Sequence, residues 1–69
     1  MKKIDTCGMS CPQPVLMAKK GLEQSPEGVE VIVDNTTAKT NVERFLISAG
    51  CAVSVEDHGE LTILKGKKA

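Results

Sequence analysis

Between Gly28 and Gly50 the spacing of the apolar residues changes from two to nearly four, and that switch constrains the fold more than any other feature of the chain. Val29, Val31 and Val33 alternate with Glu30 and Ile32, which is the period of a strand, and the run is dense in β-branched residues that suit a pleated surface. From Ala38 the period lengthens. Ala38, Val42, Phe45, Leu46 and Ala49 make one apolar stripe of an amphipathic helix. Asp34-Asn35-Thr36-Thr37 lies between the two patterns, and Asn35, Thr36 or Thr37 could each cap the helix. Thr40 and Glu43 imitate a capping box, but a start there would strand Ala38 outside the stripe. Gly50 stands where a helix stop belongs. A strand that runs straight into a one-striped helix needs a sheet for that helix to cover.

The flanking segments supply it. Lys3 to Thr6 reads as a weak strand around Ile4, broken by Gly8. Pro12 to about Gln24 reads as a helix, with Val15, Ala18 and Leu22 on one line, Cys11 one turn earlier on the same line, and Leu16 and Met17 widening the stripe. Pro12 suits the first helical position because its missing N–H would have no intrahelical partner. Pro14 is tolerated in the same first turn. Ser25-Pro26-Glu27-Gly28 forms the next loop. Ala52–Glu56 and Glu60–Leu64 alternate as two strands, with Asp57-His58-Gly59-Glu60 as the tight turn of a hairpin. The expected order is βαβαββ. The strand–helix–strand unit makes the first two strands parallel, and the hairpin adds an antiparallel pair. The expected fold is an α+β two-layer sandwich: a mixed four-stranded sheet with both helices on one face. Residues 1–69 are expected to form a single domain, whose core is small because a chain this short buries only roughly 60% of its unfolded-state surface.

Composition removes several classes of function. Nine basic residues balance nine acidic ones, so no basic face is available for general nucleic-acid binding. Phe45 is the only aromatic residue, which leaves almost nothing for base stacking. Lys65-Gly66-Lys67-Lys68 and Lys2-Lys3 are read as solvated termini rather than as a docking patch for an acidic partner. The N-terminal residues lack an apolar run of signal-peptide length, and no segment approaches a membrane span, so a cytoplasmic protein is expected. No cofactor is expected, since there is no room for a deep pocket between two domains. In a reducing compartment three cysteines do not read as a disulfide framework.

Cys11 is the first candidate for chemistry. It stands at the N-cap position of the first expected helix, where unpaired N–H groups and the helix dipole favour an anion. A thiol there should have a lowered pKa and react as thiolate. Cysteine is a poor N-cap, and a small buried cysteine is the plain alternative, so placement alone leaves both readings open.

Asp5-x-x-Gly8-x-x-Cys11-Pro12-Gln13-Pro14-Val15 resembles the signature of the TusA/SirA family of small sulfur carriers. Val33-Asp34-Asn35 and Ala38-Lys39-x-Asn41-Val42-x-Arg44-Phe45 resemble the branch called YedF, which is linked with selenium metabolism. The resemblance runs from Ile4 to Ile63. It implies the same two-layer fold and a sulfurtransferase-like carrier that relays sulfur between partner enzymes. It also implies that Cys11 bears sulfur as a persulfide, or selenium, received from a cysteine desulfurase or another persulfide donor and passed to an acceptor protein. Asp5, Gly8, Pro12 and Pro14 are then the supporting motif. The sequence departs from the pattern at Cys7, where a non-cysteine residue is usual, and lacks the second domain common in the YedF branch.

The remaining candidates are weaker. Cys7 is read first as an ordinary loop thiol and second as a resolving thiol, able to attack a Cys11 persulfide, release sulfide and leave a disulfide. Cys51 is read as a packed structural thiol, and His58 as a solvated turn residue. Zinc on Cys7, Cys11, Cys51 and His58 is disfavoured because the spacing lacks a C-x2-C knuckle. Asp5 and Asp34 stand at strand ends, suited to bonding turns or caps. Arg44 and Lys39 are expected on the solvent side of the second helix. The competing function is a binding or regulatory module in which Cys11 only caps a helix.

Overall fold

The computed structural model describes residues 2–8 and 13–68. Its elements are β1 (Lys2–Asp5), α1 (Gln13–Gln24), β2 (Gly28–Val33), α2 (Thr36–Ser48), β3 (Cys51–His58) and β4 (Leu61–Lys68). This is the expected βαβαββ order, with two helices and a mixed four-stranded sheet. The spatial order of the strands is β1-β2-β4-β3. β1 runs parallel to β2, from Lys2 opposite Val29 to Asp5 opposite Ile32. β4 is antiparallel to both its neighbours, with Val31 opposite Leu64 on one side and Val55 opposite Leu64 on the other.

Alternation sorts the strand residues between two faces. Ile4, Val29, Val31, Val33 and Leu64 are buried on the helix side, where Ala18 from α1 and Ala38, Val42 and Leu46 from α2 close the core. Ile32 and Ile63 face each other on the open side and are only half-buried. There Lys65 Nζ lies 2.6 Å from Glu56 Oε2 and 3.9 Å from Glu30 Oε1. This exposed pair is screened by solvent and contributes little to stability. The Lys65 ammonium nonetheless holds the Glu56 carboxyl below its usual range.

Asn35 settles the choice of cap for α2. It is extended (φ −155°, ψ 160°), and its Oδ1 accepts a 2.7 Å hydrogen bond from the Ala38 N–H. Gly50, at φ +87°, turns the chain out of the helix, a conformation that costs glycine nothing.

In α1 the buried residues are Pro14, Ala18 and Gly21, with Val15, Met17 and Leu22 half-buried beside them. Leu16 does not widen the stripe and is 53% exposed. At 3.6 residues per turn it lies about 200° around the helix from both Pro14 and Ala18. The buried line is one of small residues, which brings α1 close to the sheet: any side chain at Gly21 would meet Ile4. The expected N-cap Cys11 and first helical residue Pro12 lie outside the described residues.

The hairpin is longer than its apolar residues suggested. β3 and β4 pair from His58 opposite Leu61 back to Cys51 opposite Lys68. The turn narrows to Gly59 and Glu60, with the Gly59 N–H donating to Asp57 Oδ1 at 3.0 Å. The segment Lys65–Lys68 is therefore not a solvated terminus. It belongs to a central strand with partners on both sides, and Lys2 and Lys3 likewise pair in β1. Two flanking backbones offer hydrogen bonds whatever the side chains are, and that outweighs the polar sequence. Among the described residues no helix is long and apolar enough to cross a membrane.

Candidate functional site

The connections β1–α1 and β2–α2 both leave the sheet at the C-terminal ends of parallel neighbours, so they emerge side by side. Thr6 is the last residue held by the sheet. It is buried (1% exposed), its N–H donates to Ile32 O at 3.0 Å, and its hydroxyl donates to the same oxygen at 2.6 Å. The Cys7 N–H then turns back to Asp5 Oδ1 at 3.0 Å. The Gly8 N–H crosses to Asp34 Oδ2, at the end of β2, at 2.8 Å. Gly8 takes φ +79°, which explains why glycine suits this corner. Three successive N–H groups thus have three separate acceptors. The chain is described again from Gln13, and Pro14 is fully buried beneath the first turn of α1. Cys11 lies in sequence between these two described anchors, three residues after Gly8 and two before Gln13.

Electrostatics distinguish the thiols that the structure describes. Cys7 is half-buried, and its S–H donates to the Asp5 carboxylate. That bond, with desolvation and the negative charges of Asp5 and Asp34, raises the Cys7 pKa above the ordinary 9.0. The bonds from the Cys7 N–H and thiol lower the Asp5 pKa below its ordinary 3.8. At neutral pH Cys7 is therefore a protonated thiol and a weak nucleophile. Cys51 is buried at 8% exposure and begins β3, while His58 ends it. Seven strand steps of ~3.3 Å separate them by roughly 23 Å, so the two cannot share one metal site. Cys7 stands at the His58 end of the sheet, which also parts it from Cys51.

Of the expected supporting residues, Asp5 and Gly8 meet in one turn and Pro14 packs under α1; Pro12 falls outside the described residues. Asp34 was legible only as a strand-end carboxylate suited to turns or caps. Its bond to Gly8 spans 26 residues and depends on β1 and β2 being neighbours, which no local pattern states. Asp34 also borders an open cavity of about 570 Å³ between the start of α2 and the β3–β4 turn, lined further by Asn35, Thr36, Lys39, Glu60 and Thr62. Lys39 is half-buried there rather than on a free solvent face, whereas Arg44 is exposed.

Residues 2–68 match the family described as Sulfurtransferase TusA. The chain belongs to the TusA family. Two archaeal proteins, each described as "Putative sulfur carrier protein", are similar to it. The one from Methanocaldococcus jannaschii is 42% identical over 62 residues, covering 87% of this chain and 83% of the relative. The one from Archaeoglobus fulgidus is 36% identical over 44 residues, covering 61% and 57%. The crystal structure of a SirA-like protein from Desulfitobacterium hafniense superposes with a TM-score of 0.85 at 30% identity, covering 97% of this chain and 96% of that one. Membership of a sulfur-carrier family implies partners that donate and accept sulfur.

Proposed function

We propose that this protein carries sulfur as a persulfide on Cys11. The thiolate attacks the outer sulfur of a donor persulfide, the donor's S–S bond breaks, and the donor leaves as a thiolate. Cys11 gains one sulfur atom with no net oxidation. The reverse exchange with an acceptor thiol unloads it. The observation that carries this reading is the family match over residues 2–68 around a Cys11-Pro12-Gln13-Pro14 motif. The anchoring of Gly8 before the motif and the burial of Pro14 at its end support this reading, because the described residues on either side of Cys11 in sequence are themselves held in place.

The donor is a cysteine desulfurase or a similar persulfide source, the acceptor is a thiol protein, and the setting is the reducing cytoplasm, where a free thiol persists. Asp5, Gly8, Pro12 and Pro14 serve as the supporting motif. Cys7 as a resolving thiol is the weaker part of this reading, since its carboxylate neighbours suppress the thiolate that such an attack requires. The test is intact-protein mass spectrometry after incubation with a desulfurase and cysteine. Wild-type protein should gain about 32 Da per sulfur on its nucleophilic thiolate, and Cys11→Ala should gain nothing. A wild type without an adduct would leave a binding module whose Cys11 has no chemistry. Selenium as cargo, the finer YedF-like reading, is tested by repeating the loading with selenocysteine.

A further inference from the structure

We infer that the outer edge of β3 is a docking surface for a second copy of this chain, with the two β3 strands pairing antiparallel about a two-fold axis at Ser54. The inference is independent of the carrier reading, and none of its tests involves sulfur.

β3 ends the strand order and pairs with β4 on one side. From Ser54 to His58 every residue is exposed, including Val55 at 41%, although its side chain is on the helix side of the sheet. Edge strands are commonly guarded by lysine, proline or a bulge; Cys51–His58 contains neither residue, and its register with β4 is unbroken. The direction of its backbone groups follows from alternation along an antiparallel ladder. The Lys68 N–H bonds Glu27 O, so Lys68 turns toward β2 and Lys67 toward β3. Lys67 is opposite Ala52, so Ala52, Ser54, Glu56 and His58 bond β4, and the N–H and C=O groups of Cys51, Val53, Val55 and Asp57 point outward. A second β3 must set its own outward groups against these. Pairing Cys51 with His58 along the full strand is therefore excluded, because it opposes outward groups with inward ones. Among the two-fold registers that remain, an axis at Ser54 gives the longest ladder: Cys51 opposite Asp57 and Val53 opposite Val55, each twice. It also joins β-branched side chains across the seam on the helix side. Charge agrees with this register. Glu56 of one copy falls opposite Ala52 of the other, and Lys67 is the next residue across the sheet. Both side chains lie on the open face, roughly 10 Å apart at Cα over a small alanine, a span that glutamate and lysine can bridge. Asp57 likewise falls opposite Cys51, with Lys68 beyond it. The acidic end of each β3 thus meets the basic end of the other copy's β4. One strand seam is smaller than the interface of a permanent dimer, so the pair should form at high concentration and part on dilution.

Two measurements test this. In sedimentation velocity the weight-average mass of the wild type should rise from 7.3 kDa toward twice that value as concentration increases to about 1 mM. Val55→Pro removes an outward N–H and leaves the bonds to β4 in place, so it should keep its thermal transition and remain a monomer over the same range. The second measurement reads the register. In a background of Cys7→Ser and Cys11→Ser, Ser54→Cys should form a disulfide with its own copy under mild oxidation, located by peptide mapping, because the two residues face each other across the axis. Glu56→Cys should not, since four strand steps of ~3.3 Å part it from its copy. A wild type that stays monomeric at about 1 mM overturns the proposal and leaves the edge of β3 to a strand of another protein or to none. A dimer in which Val55→Pro still pairs, or in which Glu56→Cys crosslinks as readily as Ser54→Cys, overturns it in favour of another interface.

Discussion

The thiol of Cys7 is governed by the carboxylates around it, Asp5 in its own turn and Asp34 at the end of β2. The Asp5 carboxylate accepts from both the N–H and the S–H of Cys7, so the same bonds that shape the turn keep that thiol protonated. The signs follow directly. Cys7 has a raised pKa, so its stabilising contribution is complete below pH 9.0 and is lost as pH climbs through the folded-state value. Asp5 has a lowered pKa, so its contribution is complete above pH 3.8 and is lost as pH falls through the folded-state value. The turn should therefore hold across the neutral range and loosen at both extremes. Asp5→Asn removes the charge and should bring the Cys7 pKa back toward the ordinary value. Alkylation of Cys7 at pH 8, followed by peptide mapping, should then run roughly two- to tenfold faster, since one pKa unit changes the thiolate fraction about tenfold. An unchanged rate would show that Asp5 shapes the turn without governing the thiol.

At the level of elements, β4 carries the sheet. It lies between β2 and β3, and its Gly66 is opposite Val29 on one side and Val53 on the other. Glycine usually weakens a strand, but here a neighbour occupies the space. A Cβ at Gly66 would lie 2.9 and 3.0 Å from the two methyl carbons of Leu46. Leu46 is fully buried under α2 and has no solvent to swing into. Gly66→Ala should therefore destabilise by about 1–3 kcal/mol, the usual cost of overpacking a filled core. Urea unfolding should show a lower midpoint with an unchanged slope. A midpoint equal to wild type would mean that α2 can lift from β4 without cost. The case differs at Gly21, where the obstructing atom is the tip of Ile4 and a small cleft of about 170 Å³ lined by Ile4 and Met17 lies beside it.

At the scale of the whole molecule, the two layers depend on the last strand to form. Two of the three strand pairings involve β4, and its final residues also tie neighbouring segments: the Lys68 N–H donates to Glu27 O at 3.0 Å, and Lys68 Nζ to Ala49 O at 3.2 Å. Ending the chain after Leu64 would leave Val29 and Val53 without their partner Gly66 and Cys51 without Lys68. Buried N–H and C=O groups left unpaired are costly, and a domain of this size has little stability in reserve. The truncated chain should lose its cooperative thermal transition by circular dichroism. If it melted within a few degrees of the full chain, those residues would be a dispensable tail after all.

The order of strands and helices was legible in the sequence because each element carries its own period, as at Val29–Val33 and along Ala38, Val42 and Leu46. So was the motif around Cys11, because a run of cysteine and two prolines is local chemistry. The extent of β4 was not, since Lys65–Lys68 is polar and becomes a strand only where β2 and β3 offer it backbone partners on both sides. Leu16 looked like core until Pro14, Ala18 and Gly21 claimed the inner face of α1. The bond from Gly8 to Asp34 belongs to the same class: 26 residues separate its ends, and only the parallel pairing of β1 with β2 brings them together. Residue type and spacing determine which element each segment forms and what chemistry it can carry. Which distant groups meet is decided when the strands choose neighbours, because hydrogen bonds act over a few ångströms of space and are indifferent to distance along the chain.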